Sequence, residues 1–176
     1  MVVEAAVGMP FAKYVEQRLW QPMGAAYDAS WSLDSRDGGI AKAFCCLNAR
    51  ALDYARFGQL FLDGGRVDGR QVVPAEWVTQ STAAQSLPGA TDAMRRNIER
   101  AGMPREAFYA WQWRRPSVVV AGNDLRQPGR DFYAQGLRGQ YVYVAPDQRT
   151  VVVRLGREDA GVNWPGWIGE LLRLNP

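Results

Sequence analysis

At 176 residues, with 47% hydrophobic and 22% charged side chains, the chain is long enough to bury one core and too apolar to stay disordered. Twenty-one basic against eighteen acidic side chains leave a net charge of +3, with both signs scattered along the chain; this describes a solvated surface and argues against a nucleic-acid partner. The absence of histidine excludes a Ser-His-Asp or Cys-His couple and His-ligated zinc, and no apolar run is long enough to span a membrane.

The first ten residues lack a basic start and carry Glu4, unlike a signal peptide, so a soluble protein is expected. Pro10 suits a first helical position. Phe11, Tyr14, Val15 and Leu19 follow at spacings of three and four, until Pro22 and Gly24 stop the helix. Residues 25–42, rich in Asp, Ser and Gly, read as irregular chain anchored by Trp31 and Leu33. Ala43 to Leu47 reads as a short buried strand. Within it the adjacent Cys45 and Cys46 suit neither an ordinary cross-link nor a four-ligand metal set; they read as two small apolar residues, with reduced thiols that fit the cytoplasm. Asn48 is placed to cap a helix running to Leu62, and Gly64-Gly65 to end it. Asp68-Gly69 predicts a turn, and Val73-Pro74 the start of a helix containing Trp77. Ser86 to Gly89 reads as a loop, and Asp92 to Arg100 as a charged helix capped by Thr91.

From Phe108 the hydrophobic period becomes two. Tyr109, Trp111 and Trp113 are expected on one face of one strand. Val118 to Ala121 predicts another strand, followed by a turn at Gly122-Asn123-Asp124. Three more strands follow at Phe132 to Gly136, Gln140 to Ala145 and Thr150 to Leu155, the last two joined by a turn at Pro146 to Arg149. A closing helix, Trp164 to Leu174, carries Trp167, Leu171 and Leu174 on one side. Together these predict an α+β fold in which an antiparallel sheet packs against helices.

The run Ala-Phe-Cys-Cys-Leu-Asn-Ala-Arg-Ala-Leu-Asp-Tyr-Ala-Arg-Phe-Gly from Ala43 to Gly58, continuing to Pro74-Ala75-Glu76-Trp77-Val78, resembles a block of the penicillin-recognising serine hydrolases. That group holds class C β-lactamases, penicillin-binding-protein-like DD-peptidases, related esterases and 6-aminohexanoate-dimer hydrolases. The aromatic run at Tyr109 to Trp113 and the stretch Gly136-Leu137-Arg138-Gly139-Gln140-Tyr141-Val142-Tyr143-Val144 resemble the same family. The resemblance implies a partial β-lactamase/DD-peptidase-like fold, with residues 1–176 as a single incomplete domain matching the C-terminal portion of a full member. Met1 then falls just downstream of the family's second motif.

The activity implied is hydrolysis of an amide or ester by a nucleophilic Ser three residues before a Lys, with a Tyr-x-Asn element beside it. The residues three before Lys13 and Lys42 are Pro10 and Gly39, and no tyrosine has Asn two places on. The chain is therefore expected to hold no catalytic residue and to be inactive alone. Neither metal nor cofactor is expected. The family's third motif falls at Ala134-Gln135-Gly136, where a Lys or His is replaced by Ala134 as in the nylon-oligomer branch. Gln135, Gly136, Arg138 and Gly139 are the implied substrate-side residues. Taken by themselves, the two glycines equally predict a tight turn, and Arg138 a water-facing side chain. The expected partners are a small-molecule amide or ester in the complete family member, together with self-association or pairing with a missing N-terminal half. The alternative is a non-catalytic binding module for a peptide-like ligand.

Overall fold

A computed structural model describes residues 2–83, 109–115, 118–120, 124–126 and 129–174. The expected loop at Ser86 to Gly89, the charged helix at Asp92 to Arg100 and the Gly122-Asn123 part of one turn lie outside them.

The chain opens with helix α1 (Val2–Val7) and then α2 (Phe11–Val15), which runs on as one π-helical stretch, Glu16–Trp20. Pro10 is the residue preceding the helix, at φ −57° and ψ 140°, one place earlier than the sequence predicts. Residues 25–42 are not wholly irregular. Strand β1 (Ser30–Trp31) pairs antiparallel with β2 (Leu47–Asn48), and Leu33 bridges to Ala41. Trp31 anchors this region as expected, donating from Nε1 to the carbonyls of Lys42 (2.9 Å) and Cys45 (2.7 Å), whereas Leu33 is exposed.

The buried strand expected at Ala43 to Leu47 is absent. A disulfide joins Cys45 to Cys46, Cys46 sits at φ 69°, and Phe44 is 87% exposed. A left-handed residue breaks the alternation a strand requires. Helix α3 (Ala51–Leu62) also starts later than predicted, after Arg50. Asn48 cannot cap it because its amide is engaged in β2, donating to the carbonyls of Ser30 (3.4 Å) and Cys46 (3.3 Å). The far end is as expected: Gly64 and Gly65 turn left-handed, and Gly65 N donates to Leu60 O at 2.7 Å.

Strands β3 (Arg66–Val67) and β4 (Arg70–Gln71) form a hairpin across Asp68 and Gly69, at φ 48° and 79°. These angles are those of a two-residue primed turn. Helix α4 (Ala75–Thr82) follows Pro74. The aromatic ladder is where sequence periodicity misleads. Two strands, β5 (Tyr109–Ala110) and β6 (Trp113–Arg114), double back through Trp111 and Gln112, which lie at φ 52° and 71°. Trp113 is buried, while Trp111 stays outside and meets the Trp77 ring at 4.9 Å. Strands β7 (Val118–Val120) and β8 (Asp124–Arg126) make a separate pair.

Strands β9 (Phe132–Gly136), β10 (Gln140–Ala145) and β11 (Thr150–Arg154) complete a sheet of order β11-β10-β9-β6-β5, antiparallel throughout. Its organisation follows from the period of two in β10. Val142 and Val144 face α3. Val144 joins Phe61, Val78, Trp113 and Phe132 in one cluster. Tyr141, Tyr143 and Ala145 face the other way, joining Tyr133 and Ile168 in a second cluster against helix α5 (Trp164–Leu174). The sheet is thus sandwiched between two helices.

Each helix approaches the sheet through a glycine. A Cβ on Gly58 of α3 would lie 2.6 Å from Val151 Cγ1 and 3.0 Å from Val142 Cγ1; one on Gly169 of α5 would lie 2.8 Å from the Tyr143 hydroxyl. Asn163 starts α5 by accepting from Gly166 N at 3.2 Å. The helix buries Pro165, Ile168 and Gly169, and turns the predicted Trp167, Leu171 and Leu174 side outward.

Candidate functional site

Strand β9 reaches beyond its neighbour. β6, which begins at Trp113, pairs with it at Arg114 opposite Tyr133, so among the described residues the stretch Gln135 to Gly136 has a strand on one side alone. Beyond it, Leu137, Arg138 and Gly139 form a three-residue turn closed by Gly136 opposite Gln140. Arg138 and Gly139 adopt φ 63° and 76°, the left-handed geometry that tightens such a hairpin.

This turn is fastened from behind. Arg154 donates to the carbonyls of Gly139 and Glu158, and its guanidinium stacks 4.0 Å from the centre of the Trp164 ring. Gln140 exchanges two hydrogen bonds with Gly156, giving from Nε2 to the carbonyl and accepting at Oε1 from the amide. A delocalised cation stacked on an aromatic face and bonded to two backbone carbonyls is a rigid support. The sheet-edge residues are therefore held by β11 and the start of α5, not by the turn alone.

Of the four residues singled out by sequence, Gln135, Gly136 and Arg138 lie together at the exposed end of β9 and its turn. Gly139 is buried: its carbonyl faces Arg154, and a Cβ there would meet that guanidinium and the Asp159 backbone. Sequence reasoning missed Arg154 and Gln140. Their partners lie fifteen and sixteen residues away, and no local spacing announces them.

A second feature is a cavity of about 620 Å³ bounded by the α2 to β1 region, with Trp20, Tyr27, Trp31 and Leu47 as apolar walls and Lys13 and Glu16 among its polar ones. Lys13 Nζ and Glu16 Oε2 form an exposed ion pair at 3.0 Å. The first turn of α3 fixes the cavity's inner wall. Asp53, fully buried, accepts at Oδ1 from Ala26 N (2.8 Å) and Arg56 (2.6 Å), and Tyr54 donates to Leu47 O at 2.6 Å. Arg50 lies 3.4 Å above the Tyr27 ring. Asp53 Oδ2 has no hydrogen-bond partner among the described residues. No group of three or more Cys, Asp or Glu among them is arranged to hold a metal ion, and none of their helices is long and apolar enough to cross a membrane.

The antiparallel sheet with helices on its faces is an α+β architecture of the β-lactamase-like kind, present in part. In sequence, the chain is 28% identical over 164 residues to the 6-aminohexanoate-dimer hydrolase of Paenarthrobacter ureafaciens, a match covering 93% of this chain and 36% of that protein. In structure, it superposes on a candidate 6-aminohexanoate-dimer hydrolase from Bacillus anthracis with a TM-score of 0.70 at 22% identity, over 99% of this chain and 39% of the other. A candidate beta-lactamase from Bacteroides dorei DSM 17855 gives a TM-score of 0.60 at 16% identity, over 97% and 53%. No family profile matches the chain. The resemblance read from the sequence thus holds in both sequence and fold, and the chain spans about a third of the curated relative's length.

Proposed function

We propose that this chain is the C-terminal sheet-and-helix portion of a serine hydrolase acting on amide or ester bonds, supplying one wall of the substrate site without the nucleophile, and that by itself it turns over no substrate. The observation that carries this reading is the open stretch of β9 at Gln135 and Gly136. An extended amide laid along such an edge would take main-chain hydrogen bonds, and a backbone N–H there would hold an oxyanion. Arg138 at the adjoining turn would pair with a substrate carboxylate, and Gly139 would keep that turn narrow. The relative's named substrate, an amino-acid dimer, offers both an amide and a carboxylate. Inactivity follows from chemistry: an alcohol attacks a carbonyl usefully only with a base in hydrogen-bond reach, and no Ser precedes either lysine by three residues. Incubation with a fluorophosphonate or a fluorescent penicillin is expected to label none of the serines in residues 1–176. Covalent labelling of any of them overturns the inactive reading.

Pairing with further polypeptide belongs to the same proposal. Among the described residues β11 ends the sheet with one neighbour, β10, and α5 presents Trp167 (53% exposed) and Leu174 (73%) outward. An unpaired strand edge and an exposed apolar helix face each favour association. The isolated chain is expected to bind an exposed-hydrophobe dye and to self-associate, and Trp167→Gln with Leu174→Gln to reduce both. A stable monomer that leaves the dye dark would show that nothing is missing from this face.

One observation favours a second reading, a non-catalytic module for a peptide-like ligand: the aromatic-walled cavity with Lys13 and Glu16 is of the size that holds small molecules. Saturable binding of a short peptide without hydrolysis, lost in Trp31→Ala and retained in Gln135→Ala, would select it.

A further inference from the structure

The disulfide between the sequence neighbours Cys45 and Cys46 sits in the loop joining the two strands beside the cavity. We propose that this pair is a thiol–disulfide exchange site, opened by small thiol reductants, and that opening it loosens the cavity wall formed by Trp31 and Leu47.

Three observations carry the proposal. The first is access: Ala43, Phe44 and Cys46 are exposed, so a thiolate can approach the Cys46 sulfur from solvent. The second is constraint. Linking adjacent residues closes a small ring around their shared peptide, and Cys46 within it is left-handed at φ 69°, a region that L-residues other than Gly, Asn and Asp rarely occupy. Opening the ring lets that residue return to ordinary backbone angles.

The third observation is coupling. The Cys45 carbonyl accepts from Trp31 Nε1 at 2.7 Å, and the Cys46 carbonyl accepts from Ser32 N at 3.1 Å and Asn48 Nδ2 at 3.3 Å. The carbonyl within the ring and the one that leaves it therefore both hold β1 and β2. Trp31 in turn meets the Phe11 ring edge-on at 4.9 Å, and Trp31 and Leu47 both line the cavity. A change of backbone angle at Cys46 reorients these acceptors and releases the indole.

The exchange balances with two equivalents of a thiol. A reductant thiolate attacks Cys46 Sγ, forming a mixed disulfide and expelling Cys45 as a thiolate that takes up a proton. A second thiol attacks the mixed disulfide, Cys46 leaves as the thiol, and the reductant departs as its own disulfide. Two electrons and two protons enter the protein.

The test uses the whole chain. Protein treated with oxidised glutathione, then unfolded in N-ethylmaleimide, is expected to show no alkylated cysteine, to run as a single chain without reductant, and to carry two adducts after dithiothreitol. In the folded protein, reduction is expected to speed amide exchange at Ser30, Trp31 and Ser32 about tenfold, with β10 unchanged, as local opening confined to one segment requires. The double variant Cys45→Ser, Cys46→Ser is expected to exchange like the reduced protein and to ignore dithiothreitol. Two adducts in the oxidised sample, a disulfide-linked dimer, or unchanged exchange at Trp31 on reduction would each overturn the proposal. Because the central comparison is made on unsubstituted protein, it stands whether or not the variant folds.

Discussion

Replacing Gly58 with leucine is expected to lower stability by about 3 kcal/mol, the upper end of the usual cost of overpacking a filled core. The new Cβ alone would sit 2.6 Å from Val151 Cγ1 and 3.0 Å from Val142 Cγ1, and these valines belong to the two strands that α3 covers. Neither can retreat, since each is fixed in the ladder between β10 and β11. Gly58→Ala should cost less than the leucine change, because an alanine in a helix interior regains about 1 kcal/mol of propensity against its clash. Gly64→Ala provides the control: it has open space around its Cβ position and φ +63°, so only backbone strain is paid there. Urea unfolding at neutral pH separates the three. A leucine variant as stable as the parent would mean that α3 does not lie this close to the sheet.

Asp131→Ala is expected to cost about 1–3 kcal/mol, the penalty for leaving a buried donor without its acceptor. Tyr143, buried in the centre of the sheet, donates its hydroxyl to Asp131 Oδ2 at 2.6 Å, and Asp131 is itself buried. Burial raises the Asp131 carboxyl above the usual carboxylate range, against the opposing pull of the Tyr143 hydrogen bond, and Asp147 adds to the rise. The same burial, together with the carboxylate, raises the Tyr143 phenol. A raised carboxyl means that the folded chain holds this proton more tightly than the unfolded chain does. The stabilising contribution of the group is therefore complete below the ordinary carboxylate value of 3.8 and is lost as pH rises through the raised one. Asp131→Asn keeps an acceptor for Tyr143 without a charge. It should accordingly gain on the parent between about pH 4 and neutrality, while Asp131→Ala stays below the parent throughout. Urea midpoints across that range decide it, and a parent whose stability relative to Asp131→Asn rises with pH would reverse the sign assigned here. Gly169→Ala is linked to this pair, since its methyl group would press on the Tyr143 hydroxyl.

Strands β9 and β10 were legible residue by residue, and β11 to within one residue at its end, because each alternates between two packed helices and is bounded by turn-forming residues. The end of α3 was legible for a similar reason, a pair of glycines free to turn left-handed. The failures share a different cause. Trp111 and Gln112 occupy a turn that local rules reserve for Asn and Gly, so an apparent continuous strand is two. Asn48 has the chemistry of a helix cap, but pairing across to Ser30, eighteen residues away, claims its side chain. Cys45 and Cys46 conceal a bond that no spacing rule suggests. At the candidate site, the open edge around Gln135 and Gly136 follows from a recognisable strand and turn. Its fixation by Arg154 and Gln140 does not, because it depends on where a later loop returns.

Strand β10 has two faces of unlike chemistry: phenols at Tyr141 and Tyr143 toward one helix, branched aliphatics at Val142 and Val144 toward the other. A single inserted or deleted residue there would press hydroxyls into an oily layer beside Phe61 and leave Asp131 facing a hydrocarbon. The strand thereby carries its own alignment mark, and codon gains or losses should be purged from it while the adjoining segment from Pro146 to Arg149 absorbs them.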